Sequence, residues 1–336
     1  MALGPVFITG GAGFVGAHAA KAFARAGREV VVYDNLSRGW ADFVKWGPLV
    51  EGDILDTERL TAALIEHKPE TVVHFAAVAY IAESIAKPDV YYRINVAGTL
   101  SLLRAMQDAG VKRIVFSSSC ATYGVVSDVI TEETPQEPIN PYGRSKMMAE
   151  QVIHDVGKVA GIDSVILRYF NAAGSDPELE IGERHDPEPH VIPLALRGAI
   201  DGGFVFTING SEFPTPDGTC VRDYVHVCDL ADAHIKAVEH LEAGKGSDVF
   251  NLSTGKGASI LDLIAAIESV TGGKIERKFG APRPGDPPSL IASYAKAERV
   301  LGWRATRSDL QTLMRDAWAW QKKDGLRTAG NDLDRT

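Results

Sequence analysis

Short apolar runs alternate with longer amphipathic stretches through the first half of the chain. Val6-Phe7-Ile8-Thr9 is the first run, stopped by glycines, and residues 18–26 behind it have helical spacing. Strand-length runs rich in Val, Ile and Phe recur at 29–33, 49–53, 71–75, 113–116 and 164–167. Helical stretches at 58–68, 90–109 and 145–160 separate them. The strands are near-continuously apolar, so both of their faces are buried. That pattern predicts a parallel sheet with helices on both sides, a Rossmann-type doubly wound α/β fold.

The rhythm breaks after Asn171. Residues 172–190 are rich in Gly, Pro, Asp and Glu, and further turn-rich clusters fall at 210–219 and 281–288. The expected division is a dinucleotide-binding domain over 1–175 and a smaller mixed α/β C-terminal substrate domain over 176–327. Some strands and helices interchange between the two, and a polar tail is expected over 328–336. A length of 336 residues suits this arrangement, because single cores stop growing at roughly 250–300 residues.

Charge narrows the partners. The net charge is −9 and no basic run occurs, which excludes nucleic acid as the main partner. No apolar stretch reaches the roughly 18 residues of a membrane span, and the start lacks a signal-peptide pattern, so a cytoplasmic protein is expected. Cys120, Cys220 and Cys228 show no metal-ligand spacing; reduced thiols and no metal are expected.

The candidate chemistry begins at Thr9-Gly10-Gly11-Ala12-Gly13-Phe14-Val15-Gly16, between the first strand and first helix. Glycines at 10, 13 and 16 allow a tight turn, close approach to a pyrophosphate, and a helix N-terminus aimed at its charge. The second strand ends at Asp34, where a carboxylate would accept hydrogen bonds from an adenosine ribose and repel a 2′-phosphate. NAD is therefore favoured over NADP as the cofactor. Asn35 and Ile54 are expected among the cofactor-binding residues. From spacing alone, Asp53 is either an adenine contact or a strand-end turn carboxylate. Phe75-Ala76-Ala77 ends the fourth strand with small residues that let backbone pass near a cofactor.

Ser117-Ser118-Ser119 closes the fifth strand, and Pro141-Tyr142-Gly143-Arg144-Ser145-Lys146 enters a helix. Spacing of i and i+4 puts Tyr142 and Lys146 on one face. A tyrosine with a pKa near 10 is a poor base at neutral pH, so nearby positive charge, from Lys146 and a nicotinamide ring, is needed to favour its phenolate. Ser119 would hold or relay the substrate hydroxyl proton.

Together the segments TGGAGFVG, YDNLSRG, EGDI, FAAVAYIAES, NVAGT, FSSSCATYG, PYGRSK, RYFNAAG, DGTCVRDYVHVCDLA, FNLSTGKG and APRPGDPP resemble the extended short-chain dehydrogenase/reductase family, in its UDP-sugar 4-epimerase branch. The resemblance runs from Thr9 to about Trp320. It implies reversible interconversion of UDP-galactose and UDP-glucose through a 4-keto sugar, with tightly held NAD and a homodimer paired through residues 90–109 and 145–160. It further implies cofactor contacts from Asn95, Tyr169 and Phe75, and from Lys146 on the nicotinamide ribose. Asn171, Arg222, Arg283 and Asp286 would hold the UDP-sugar, with His190 on the nucleotide-binding loop. Read alone, Arg222 is as well explained by a salt bridge to Asp223, and His190 by a surface position. Three positions depart from the pattern. Ala79 replaces a frequent lysine, Asn209 a frequent aromatic, and Leu290 falls where relatives vary between tyrosine and a small residue. Cys120-Ala121-Thr122 offers no Asp-Glu pair, which argues against a 4,6-dehydratase. A 4-epimerase of N-acetylhexosamine or pentose UDP-sugars, a net dehydrogenase, and a non-catalytic NAD-sensing protein remain as alternatives.

Overall fold

A computed structural model describes residues 4–126, 128–200, 204–283 and 286–331. Six strands follow in chain order: β1 (Val6–Thr9), β2 (Val30–Asp34), β3 (Leu49–Glu51), β4 (Thr71–His74), β5 (Arg113–Ser119) and β6 (Asp163–Tyr169). With Asp248–Leu252 they form a seven-stranded sheet in the order Asp248–Leu252, β6, β5, β4, β1, β2, β3. Every pairing in it is parallel. The expected Rossmann-type sheet is thus present, with one strand more than the hydrophobic runs indicated. The seventh strand arrives when the chain returns from the second unit, a long-range event that local pattern does not encode.

Both faces of the sheet are covered. Helices Phe14–Arg25 and Val227–Glu242 close one side around Phe23, Val225, Leu230 and Trp303. Helices Thr57–His67, Gly98–Ala109 and Pro141–Ala160 close the other around Leu102, Leu103, Phe116 and Ile153. Asp56 caps the first of these by accepting from the Arg59 amide, and Lys68 ends it in the left-handed conformation.

Helix boundaries depart from the sequence expectation where capping overrides periodicity. The helix expected from residue 18 begins at Phe14, directly on the glycine turn, with Gly13 as N-cap. The one expected from 145 begins at Pro141, because Asn140 accepts from the Gly143 amide and proline suits the first helical position. Tyr142 therefore lies in a helical first turn. The stretch 90–109 is not one regular helix. A π-helical segment, Tyr92–Ala97, joins Pro88–Tyr91 to Gly98–Ala109. Such widened turns re-aim side chains. Here Asn95 points inward, donating to the Val78 carbonyl and the Ser145 hydroxyl while accepting from the Val78 amide.

The second unit holds a small sheet of Asn171–Ala173, Val221–His226, Gly257–Ser259 and Ser289–Leu290. Phe206–Asn209 pairs in parallel with Arg277–Gly280. Helices Val191–Ile200, Ile260–Thr271 and Leu310–Asn331 pack around Leu196, Tyr224, Ile264 and Leu313. Helix Leu310–Asn331 runs into the stretch 328–336 expected as a polar tail, of which residues 332–336 lie outside the described residues.

Behind β5 sits a buried ion pair, Glu150 with Arg168, joined at 2.6 Å and 6–8% exposed at the side chains. The Ser118 hydroxyl donates to Glu150, and Arg168 also donates to the Tyr123 hydroxyl. Removing one partner leaves a buried uncompensated charge, so Glu150→Ala is expected to cost about 3–5 kcal/mol. Urea denaturation of the variant against the parent chain measures this, and a loss below about 1 kcal/mol would contradict it.

Candidate active site

The carboxyl ends of the parallel strands open into one cleft of about 610 Å³. It runs from Asp34 and Asp53 at one end to Arg283, Asp286 and Leu290 at the other. The position is the one open α/β sheets use, where the chain order reverses between β1 and β4. Every site residue expected from the sequence lines it except Asn95. Asn95 is buried behind Ile94, which does face the cleft, and its amide is occupied by Val78 and Ser145.

The glycine turn is set by contact distance. Gly10 has φ +73°, and a Cβ there would lie 2.5 Å from the Ala76 amide nitrogen. A Cβ on Gly16 would lie 2.2 Å from the Gly10 carbonyl oxygen. Gly13 differs: it has φ −83°, and its Cβ would meet only the Gly10 oxygen at 3.4 Å, leaving open cleft beyond. No side chain caps the helix that starts at Phe14, and its first turn carries no acidic residue. Free amides at an uncapped helix end, with no Cβ in front, suit a pyrophosphate.

Asp34 accepts from the Ala12 and Leu36 amides at 3.0 and 2.9 Å. Burial raises its pKa, and the two amide bonds oppose that rise. It is a buried pin on the glycine turn rather than a solvated turn residue. Asp53 accepts from the Leu55 amide, as a strand-end turn carboxylate does, and from the Asn35 side chain at the cleft edge.

Ser119, Tyr142 and Lys146 share one wall. The Lys146 ammonium donates to the Ser117 carbonyl at 2.8 Å and lies 4.8 Å from the Phe116 ring centre. Burial lowers its pKa to about 8, with the Glu150 charge opposing. Tyr142 is pushed above the ordinary tyrosine range, first by burial and then by neighbouring Tyr169, while a hydrogen bond with Ser119 opposes. Among the chain's own groups burial is the first cause of this rise, and the Lys146 ammonium is turned to the Ser117 carbonyl. Tyr169 is pushed to about 12 by burial, against a hydrogen bond with Ser117.

At the far end Arg222 donates to the Val221 and Pro287 carbonyls at 2.8 and 2.9 Å and lies 3.7 Å from Asp286. The alternative salt bridge to Asp223 is not made. Asp223 instead accepts from the amides of Thr254 and Gly255 and from the Thr254 hydroxyl, with burial raising its pKa to about 6. Asn209, with its amide oriented by its hydrogen bonds, accepts from Arg283 Nε and Nη2 at 3.2 Å each. Leu290 is buried beside Cys120, Tyr123 and Phe170, and Ala79 faces the cleft. His190 is on the cleft wall, but its Nδ1 lies 3.0 Å from Glu183 and 2.9 Å from Glu188. Sequence reasoning missed Glu183, His185, Arg38 and Tyr80 at the mouth. The spacing Glu-x-His-x-x-Glu-x-His over 183–190 was the available signal.

A doubly wound sheet, an uncapped glycine turn and a Ser–Tyr–Lys wall define a dinucleotide-dependent enzyme of the short-chain dehydrogenase/reductase type. The chain belongs to the NAD dependent epimerase/dehydratase family, which residues 6–253 match. It is 47% identical over 319 residues to UDP-glucose 4-epimerase of Rhizobium leguminosarum bv. trifolii, spanning 95% of this chain and 97% of that one. Among solved structures it resembles UDP-glucose 4-epimerase from Brucella ovis in complex with NAD, at TM-score 0.92 and 48% identity, covering 94% and 98% of the two chains. It also resembles the Bifidobacterium longum UDP-glucose 4-epimerase complex with NAD+ and UDP, at TM-score 0.90 and 35% identity over 96% and 99%.

Two outcomes follow from this geometry. Gly13→Ala is expected to leave the melting temperature of the NAD-free chain unchanged and to weaken NAD binding at least about tenfold, or 1.4 kcal/mol, by calorimetric titration. Lys146 carries a different signature. Its folded pKa of about 8 lies below the ordinary 10.5, so the unfolded chain binds more protons between those values and stability rises with pH across that window. The cost, about 3 kcal/mol, is fully present below pH 8. Lys146→Met is therefore expected to unfold at higher urea than the parent at pH 7, and the gap to narrow by pH 10.

Proposed function

We propose that this enzyme is a UDP-sugar 4-epimerase that reversibly interconverts UDP-galactose and UDP-glucose. The observation that carries the proposal is the sharing of one cleft by Ser119, Tyr142 and Lys146 with Arg222, Arg283 and Asp286. Reactive groups and anion-binding groups thus lie along a single elongated ligand site.

In this reading the glycine turn and the free amides before helix Phe14–Arg25 hold the NAD pyrophosphate, with Asp34, Asn35, Asp53 and Ile54 around the adenosine. Phe75, Ala76, Ala77 and Tyr169 line the nicotinamide end, and Lys146 serves the adjacent ribose. Bound NAD supplies the hydride acceptor and donor for carbon 4 of the sugar, and its positive charge favours the Tyr142 phenolate that burial alone disfavours. Tyr142 Oη takes the proton of the 4-hydroxyl and later returns it. Ser119 Oγ hydrogen-bonds the same sugar oxygen and keeps it within reach of the phenol. Hydride and proton would both return to the sugar, the hydride to the opposite face of carbon 4 once the 4-keto sugar has turned over in the site, so the reaction is redox-neutral and needs no second substrate. Arg222 and Arg283 offer forked donors to the UDP pyrophosphate, Asp286 accepts from the uridine ribose, and Asn171 and His190 line the same passage.

Leu290, buried beside Phe170, fills the sugar end more than a small residue would and supports a hexose without an N-acetyl group. The 1–175 and 176–327 units, interchanging Asn171–Ala173, Val227–Glu242 and Asp248–Leu252, divide the labour between cofactor and nucleotide sugar. Exposed Leu100 and Met148, on two of the three helices that cover one face of the sheet, support pairing of two copies there. Among the described residues no helix is long and apolar enough to cross a membrane, which accords with a cytoplasmic setting.

Purified protein incubated with UDP-galactose and no added NAD is expected to form UDP-glucose, followed by chromatography, with little conversion of UDP-N-acetylgalactosamine run alongside. Tyr142→Phe should lower kcat by roughly 10²–10⁴-fold, the usual worth of a positioned acid–base group, while NAD stays bound. No conversion of either hexose after NAD is added would overturn the assignment.

A further inference from the structure

Glu183, His185, Glu188 and His190 bring four ligand atoms within 4.8 Å of one another. All four come from one stretch of eight residues between strand Asn171–Ala173 and helix Val191–Ile200. His190 Nδ1 lies 3.0 Å from a Glu183 oxygen and 2.9 Å from a Glu188 oxygen. His185 Nδ1 lies 3.7 Å from that Glu183 oxygen and 3.3 Å from the other Glu188 oxygen. A tetrahedral zinc ion with bonds of about 2.0–2.1 Å has ligand–ligand edges of about 3.3 Å; the nitrogen–oxygen separations, each taken to the nearer Glu188 oxygen, run from 2.9 to 3.7 Å.

Hydrogen bonds pair each imidazole with its own Glu188 oxygen, His185 Nδ1 with Oε2 at 3.3 Å and His190 Nδ1 with Oε1 at 2.9 Å, and leave Glu183 Oε1 between the two rings. An imidazole nitrogen carries at most one proton and donates it along one direction. Here each Nδ1 is approached by oxygens from both carboxylates, and Glu183 is buried at 7% side-chain exposure. A central cation would meet all four atoms at once. With Zn²⁺, two carboxylates and two neutral imidazoles, the site carries no net charge, which suits the buried Glu183 and the partly buried groups around it. The other carboxylate cluster among the described residues, Asp176, Glu178 and Glu180, already has its cation: Lys21 lies 2.6–3.0 Å from all three.

We propose that Glu183, His185, Glu188 and His190 bind one divalent transition metal, best matched by Zn²⁺, as a structural clip on the cleft mouth. Four protein ligands make a closed site rather than a catalytic one with an open position. Cysteine spacing carries no signal for a site of this composition. The clip braces cofactor-side elements. His185 packs edge-on to Phe14, the first residue after the glycine turn, and to Tyr80 at 5.9 Å, while His190 packs on Tyr80 at 5.8 Å. Metal binding therefore fixes the 183–190 segment against the glycine turn, independently of which sugar the enzyme takes.

The test uses the full untagged chain, stripped with a strong chelator and titrated with Co²⁺ and then Zn²⁺. About one equivalent of Co²⁺ is expected to give the intense visible absorption of a tetrahedral site, and Zn²⁺ to abolish it by displacement. Zn²⁺ is also expected to raise the melting temperature of the stripped chain by several degrees. The double variant H185N/H190N should give no such absorption and no Zn²⁺-dependent shift. A weak octahedral spectrum, a wild-type stoichiometry far below one, or undiminished binding by the double variant would overturn the proposal. The wild-type titration decides the matter even if the double variant fails to fold.

Discussion

The approach of Gly10 to the backbone of Ala76 sets the geometry on which the rest of the cleft depends. With φ at +73° and only 2.5 Å from a notional Cβ to the Ala76 nitrogen, the turn after β1 lies directly on the end of β4. That contact brings the start of helix Phe14–Arg25 over the sheet edge with its first amides uncapped. Asp34 then ties the turn to the end of β2 through the Ala12 amide. Three strand ends are thereby fixed to one another by backbone contacts, so the cofactor meets a preformed surface whose ordering cost is already met by folding.

Electrostatics on the opposite wall show how the fold tolerates a costly group where chemistry needs it. Lys146 is buried as an ammonium, satisfied by the Ser117 carbonyl and the Phe116 ring, and the Glu150 charge behind β5 opposes its desolvation. Glu150 is itself neutralised by Arg168. The chain's own groups leave Tyr142 protonated. In the proposed reading the phenolate forms only beside a positively charged ligand, so the base is made only when the reaction partner is in place.

The second unit completes the cleft by long-range pairing. Strand Val221–His226 pairs with Asn171–Ala173 and with Ser289–Leu290, which draws Asn171, Arg222 and Leu290 to one end of the cavity. Arg222 takes Asp286 as its ionic partner across 64 residues of chain rather than its neighbour Asp223, which points away to cap the Thr254–Gly255 turn. Helix Val227–Glu242 and strand Asp248–Leu252 return to the main sheet, so the two halves share one core.

Local physics made much of this legible in advance. Buried parallel strands need apolar residues on both faces, a glycine turn needs residues without Cβ, and a Tyr–Lys pair one helical turn apart shares a face; each is written within a few neighbouring residues. The sequence alone therefore determined the doubly wound sheet, the glycine turn, Asp34 and the Ser119–Tyr142–Lys146 set. Tertiary structure alone decided the seventh strand, the π-helical turn that draws Asn95 inward, the partner of Arg222 and the direction of the Lys146 ammonium. It also decided that Glu183, His185, Glu188 and His190 converge, although they are close in sequence, because their side-chain directions follow from how an irregular loop packs on Phe14 and Tyr80. No periodicity governs such a loop, so its directions are set by the surfaces around it.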